Sequence, residues 1–143
     1  MIRFPYRPDL QSGVSRWRPL GSVYLRGPAN RRRHKALFDT GSDDIVCPFW
    51  LAAHLGVQLA TSQRQRIVWR GQTFPLHFGS VELELSDGWA GFRWSAAVGF
   101  SPAPIPYMIF GIRGGLEFFD ATFCGKDLAV EFTINSSYHG TVF

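Results

Sequence analysis

At 143 residues, the chain is expected to form one domain, long enough to bury a core and too short for two. Its 15 glycines and 9 prolines, with 18% charged residues and little Ala/Glu/Lys/Leu repetition, favour short strands joined by turns over long helices. The net charge of +4 conceals an asymmetry: residues 1–70 hold twelve Lys/Arg against four Asp/Glu, and residues 71–143 hold three against seven.

In chain order, residues 1–16, with two prolines and scattered arginines, read as an N-terminal arm outside the core, and residues 17–143 as the domain. Trp17 to Arg26 is a strand, with Leu20, Val23 and Leu25 on one side and Tyr24 on the other. Gly27-Pro28-Ala29-Asn30 supplies turn chemistry. Arg31-Arg32-Arg33-His34-Lys35, the densest basic cluster, is expected in a solvated hairpin loop before a strand over 35–39. Ile45-Val46-Cys47 reads as a short strand stopped by Pro48. Phe49 to Leu55 forms the best short helix, closed by Gly56. Residues 57–68 read as extended, and residues 64–78 as a hairpin turning at Gly71, which can take positive φ.

The clearest alternation follows, Val81-Glu82-Leu83-Glu84-Leu85, apolar at every second residue. Phe92–Phe100 is another strand, and Ser101–Pro106, with three prolines, a rigid loop. Tyr107-Met108-Ile109-Phe110 runs apolar into Gly111, and Leu116–Phe119 fits one or two helical turns. Residues 121–123 and 128–132 flank Gly125-Lys126-Asp127 as a terminal hairpin. The fold class expected is all-β with one or two short helices.

Chemistry concentrates at Ala36-Leu37-Phe38-Asp39-Thr40-Gly41-Ser42, a carboxylate at the end of an apolar strand, entering a tight turn. Asp-Thr-Gly alone occurs by chance in roughly a few per cent of chains this size. Its specificity comes from order: an apolar strand before it, a hairpin after it, then Ile109-Phe110-Gly111. With Trp17-Arg18-Pro19-Leu20 opening the domain and the paired acids Asp43-Asp44 behind the turn, the chain resembles the retropepsin-like aspartic proteases over roughly residues 16–134. The resemblance implies a closed, barrel-like lobe with a flap hairpin, aspartic endopeptidase activity, and Asp39 as the catalytic residue. It gives Thr40, Gly41 and Ser42 supporting roles: Thr40 locking two turns together across an interface, and Gly41 bringing its N–H to the carboxylate. The Ser42 hydroxyl is expected to favour the ionised acid and move activity toward lower pH. Trp69, Arg70 and Gly71 become the substrate-facing flap tip, and Ile109, Phe110 and Gly111 the second structural element. The family commonly carries Arg directly after that Gly. Here Ile112 stands there and Arg113 follows, so an Arg113–Asp43 pairing is expected.

Amide hydrolysis without metal or covalent intermediate needs two carboxylates sharing a proton, one activating water and one donating to the substrate carbonyl. One Asp-Thr-Gly supplies one carboxylate, and the turn carries Asp43 and Asp44 away from Asp39. A C2 homodimer pairing two copies of Asp39 is therefore expected, acting on a protein or peptide bound in extended form. A non-catalytic dimerisation or peptide-binding module of the same fold is the alternative. Trp69 reads equally as a lid over substrate or as an aromatic packed on a neighbouring strand.

Other readings carry less. His34, His54, His77 and His139 are dispersed, so no metal and no cofactor are expected. Cys47, in an apolar strand, reads as a buried structural thiol. The basic cluster lacks any Zn-finger, helix-turn-helix or RNA-binding aromatic pattern, so no nucleic-acid partner is expected. No apolar run has membrane-spanning length, the first eight residues lack a secretory signal's apolar stretch, and two cysteines without metal spacing fit a reduced, cytoplasmic protein.

Overall fold

The computed structural model describes residues 1–11, 13–60 and 65–143. The chain is predominantly β. Its strands are β1 (Ile2–Pro5), β2 (Arg7–Gln11), β3 (Val14–Arg18), β4 (Leu20–Arg26), β5 (Arg31–Phe38), β6 (Val46–Pro48), β7 (Gln65–Trp69), β8 (Gln72–Ser86), β9 (Gly91–Ser101), β10 (Met108–Phe110), β11 (Phe119–Cys124), β12 (Ala129–Ile134) and β13 (Thr141–Val142), with one helix, α1 (Phe49–Leu55), and a 3₁₀ turn at Leu116–Phe118. Eight strands form the main sheet in the order β13-β9-β6-β10-β5-β4-β8-β7; β1-β12-β11 form a second sheet and β2-β3 a separate hairpin. No helix among the described residues is long and apolar enough to cross a membrane.

Alternation explains most of this. In β8 the apolar positions Val81, Leu83 and Leu85 are buried, and β9 pairs antiparallel along it from His77↔Phe100 to Ser86↔Gly91. The two strands expected over 73–78 and 81–85 are one strand. Gly79 lets it continue, because a Cβ there would collide with Val57 Cγ1 and meet the Gln58 carbonyl. The helix over 49–55 stands as expected, closed by Gly56 in the left-handed region (φ 73°).

Four expectations change. The segment 1–16 is not an arm outside the core: β1 pairs with β12, and Ile2 and Phe4 are buried while Arg3 and Pro5 face out. Burying two such side chains favours folding by roughly 1.5–3 kcal/mol each, enough to hold the strand down. The basic cluster is not a loop. All of 31–35 lies in β5, pairing with β4 from Arg26↔Arg31 to Ser22↔Lys35, and Gly27–Asn30 alone makes the connection. Long side chains on a strand can keep their charges in water while the backbone pairs. The strand expected over 17–26 is broken at Pro19, which has no N–H to give, and the hairpin β2–β3 projects before it. The turn expected at 125–127 joins β11 and β12, but β13 follows, so this hairpin is not terminal.

Two apolar clusters flank the main sheet. The larger contains Phe4, Phe38, Phe110 and Phe132, with ring centroids 4.8 to 5.5 Å apart around Phe38. The smaller gathers Leu20, Val46, Leu76, Ala103, Ile105, Tyr107 and Ile109, with Trp69 and Ile67 packed against them. This smaller cluster is where the Asp39 turn opens.

Candidate active site

The site begins with a parallel pair. Strand β10 runs beside β5, matching Met108↔Ala36, Ile109↔Leu37 and Phe110↔Phe38. Period-two alternation sends Phe38 and Phe110 into the larger cluster and Leu37 and Ile109 to the other side. Asp39, one residue beyond Phe38, falls on the Leu37 side, where the smaller cluster ends. Its backbone N–H donates to the Phe110 carbonyl at 3.0 Å, so the strand pairing continues into the carboxylate-bearing residue itself.

The turn after Asp39 is laced to the segment after β10. Ile112 N–H donates to the Ser42 carbonyl (3.0 Å) and Arg113 N–H to the Asp43 carbonyl (2.8 Å). Gly111 makes this approach possible: a Cβ there would collide with the Asp44 carbonyl and crowd that of Ser42. The pairing of Asp-Thr-Gly with Ile-Phe-Gly is thus a contact, made through backbone atoms on both sides.

Within the turn, Gly41 N–H donates to Asp39 Oδ1 at 2.8 Å, the approach expected of that glycine. Thr40 and Gly41 are exposed. Ser42 departs from expectation: its Oγ donates to the Asp44 carbonyl at 2.9 Å, so its one hydroxyl proton closes the turn and does not serve the Asp39 carboxylate. The expected acidic shift of activity through Ser42 loses its donor.

Arg113 also changes partner. Its Nε lies 3.2 Å from Asp44 Oδ1 and its Nη2 donates to Asp44 Oδ2 at 3.3 Å, a two-point guanidinium–carboxylate contact. The Asp43 carbonyl accepts the Arg113 backbone N–H, and among the described residues its carboxylate makes no ion pair with Arg113. Side chains one residue apart in an extended stretch face opposite ways, so the arginine one place later in the chain meets the acid one place later. The pairing of an arginine behind the second element with an acid behind the first is kept.

The hairpin β7–β8 pairs from Gln65↔Leu76 to Trp69↔Gln72. Arg70 (φ 49°) and Gly71 (φ 78°) both have positive φ, the two-residue turn whose twist suits a hairpin. Arg64, the expected first residue of this hairpin, and the middle of the expected extended stretch 57–68 lie outside the described residues. Trp69 is half-buried against the smaller cluster. Its indole shares with Asp39, Gly41 and Ser42 the walls of a cavity of about 240 Å³, completed by Val46, Ile67, Val68, Ile105 and Ile109. Trp69 thus packs on neighbouring apolar residues, as one of its two readings expects, and lines the same cavity as Asp39.

Val46, Ile67, Val68 and Ile105 were not singled out from the sequence. Ile105 had a signal. Residues 102–107 alternate exposed prolines with buried Ala103, Ile105 and Tyr107, so the proline loop has a strand-like inner face. Among the described residues no three His, Cys, Asp or Glu side chains gather as a metal site. Cys47 is fully buried and unbridged.

This arrangement places one carboxylate on the wall of a largely apolar cavity that the β7–β8 hairpin also lines, with an exposed threonine beside it. The sequence matches no protein-family model and no curated protein.

Proposed function

We propose that the chain is a retropepsin-like aspartic endopeptidase that acts as a homodimer, cleaving peptides bound in extended form. The observation that carries this reading is the shared cavity: Asp39 and the hairpin residues Ile67, Val68 and Trp69 line one space, although 28 residues or more separate them in sequence. A carboxylate under a β-hairpin suits a strand-like substrate, which can pair with backbone while its side chains enter apolar pockets. The backbone ties between the Asp39 turn and the 110–113 segment support the same reading, since they hold the carboxylate on rigid elements.

In the proposed dimer, two copies of Asp39 face each other across a C2 axis. Two such acids cannot easily ionise together, so they share a proton. The ionised member takes a proton from a water lying between them. That water's oxygen attacks the substrate carbonyl carbon, while the protonated member donates to the carbonyl oxygen. Collapse of the tetrahedral adduct breaks the C–N bond as a proton passes to the leaving nitrogen. Gly41 N–H orients each carboxylate, and the exposed Thr40 is the residue proposed to meet its symmetry mate.

A fluorogenic peptide library tests this, run with wild type and Asp39→Asn beside sedimentation velocity. Cleavage is expected to fall by about 100-fold or more in the variant, with the dimer retained. Cleavage unaffected by the substitution overturns the assignment, and a dimer that binds peptides without cleaving them supports the non-catalytic module.

A further inference from the structure

Far from Asp39, between β1 and the β4–β5 pair, a cavity of about 330 Å³ has Arg3, Arg7, Arg33, Ser22, Tyr24 and Phe4 among its walls. Three separate strands bring the arginines together: Arg3 from β1, Arg7 from β2, and Arg33 from β5, where it stands opposite Tyr24. Arg33 lies six residues before Asp39, about 20 Å along the same strand. The cavity is therefore distinct from the Asp39 cleft, and its role is independent of the protease reading.

The surrounding acids are already engaged. Glu84 lies between Arg31 (3.2 Å) and Arg93 (3.0 Å), and Glu82 between Arg26 and Arg93, both at 3.7 Å. Glu131 takes Arg3 at 2.8 Å. The side chains of Arg7 and Arg33 make no ion pair or hydrogen bond among the described residues. Arg7 also stands directly opposite Arg18 in the β2–β3 hairpin, and there Arg18 is paired with Asp9 at 3.1 Å. The one acid on the wall, Asp87, accepts N–H from Trp89, Ala90 and Arg3. Those donors hold Asp87 ionised, and the three arginines on the wall outnumber it, so the cavity carries a net positive charge.

We propose that this cavity binds a phosphate-bearing small molecule, gripped by Arg7 and Arg33. A guanidinium offers two parallel N–H donors spaced for two phosphate oxygens. The phenol of Tyr24 and the hydroxyl of Ser22 add neutral donors beside them. Phe4 and Pro5 make part of the wall apolar, and a concave low-dielectric surface concentrates the field of the unpaired cations on an entering anion. The volume suits a small ligand and not a folded partner.

Calorimetric titration of the full chain with inorganic pyrophosphate and, separately, adenosine 5′-monophosphate tests the proposal, at ionic strength matched with NaCl. One site per chain is expected, with affinity lowered about tenfold or more in Arg7→Gln/Arg33→Gln. Both positions are exposed and neither side chain is held by an ion pair among the described residues, so the variant is expected to fold; an unchanged melting temperature checks this. Tighter binding of the nucleotide identifies an organic phosphate as the ligand, and tighter binding of pyrophosphate an inorganic one; each supports the site. Absence of binding by both probes overturns it. So does binding that survives the double substitution, or that falls equally in Arg66→Gln/Arg70→Gln on the distant hairpin. Affinity for single-stranded oligonucleotide alone, with a steep salt dependence, also overturns it and assigns the basic face to nucleic acid.

Discussion

Gly111 and Cys47 carry the sharpest residue-level consequences. Because a Cβ at position 111 would collide with the carbonyl of Asp44, and backbone cannot move aside as a flexible side chain can, Gly111→Ala is expected to cost about 3 kcal/mol or more. Gly125→Ala, with nothing within 4 Å of the added carbon, is expected to be close to neutral. Urea unfolding of the pair checks this, and equal losses would contradict the packing argument. At Cys47, burial pushes the thiol well above its ordinary 9.0. The native thiol then keeps its proton where the unfolded one loses it. Its contribution is constant below about pH 9 and stability falls as pH rises further, by about 1.4 kcal/mol per unit. Urea midpoints from pH 8 to 10.5 are expected to decline less steeply in Cys47→Ala than in wild type.

Among the elements, the β8–β9 connection shows how a turn is held by one carboxylate. Burial works against the charge on Asp87, but N–H groups of Ala90, Trp89 and Arg3 outweigh it and lower its pKa below the ordinary 3.8. A lowered carboxylate pKa contributes stability that is present above the unfolded value and lost as pH falls through the folded one. Asp87→Asn is therefore expected to be less stable at neutral pH, and to lose less than wild type on acidification below about pH 5. Thermal melts from pH 7 to 2.5 measure both. Since the Arg3 N–H also reaches Asp87, this turn couples the first strand to the long hairpin, and hydrogen exchange in both is expected to rise together in the variant.

Elements were legible where a local pattern was strong enough to win. Alternation in 81–85, the helix ending at Gly56 and the turn at Gly71 are where the sequence places them. Boundaries failed where the deciding force is remote. Residues 31–35 look like a loop by charge and lie in a strand because β4 offers a pairing partner. The N-terminal residues look like an arm and are partly core because β12, more than 120 residues away, pairs with them.

For the whole molecule, the proposed mechanism makes activity depend on association. One chain presents one Asp39, so specific activity is expected to fall on dilution, tracking the dimer fraction measured by sedimentation at the same concentrations. Constant specific activity in a monomeric sample would overturn the shared-carboxylate mechanism. The phosphate site proposed above is complete within one chain, so its occupancy is expected to be insensitive to the same dilution.

The sequence by itself determined the all-β character, the helix, the hairpin and the chemical content of the site: an acid, a glycine and hydroxyls in one tight turn. These are short-range properties, set by alternation and by the φ that glycine permits. Only the tertiary structure decided that Arg113 meets Asp44, that Ser42 closes its own turn, and that Trp69 and Ile105 share a cavity with Asp39. Each of those depends on strands distant in the chain arriving at one register, and a one-residue difference in register reverses which side chain faces the cleft.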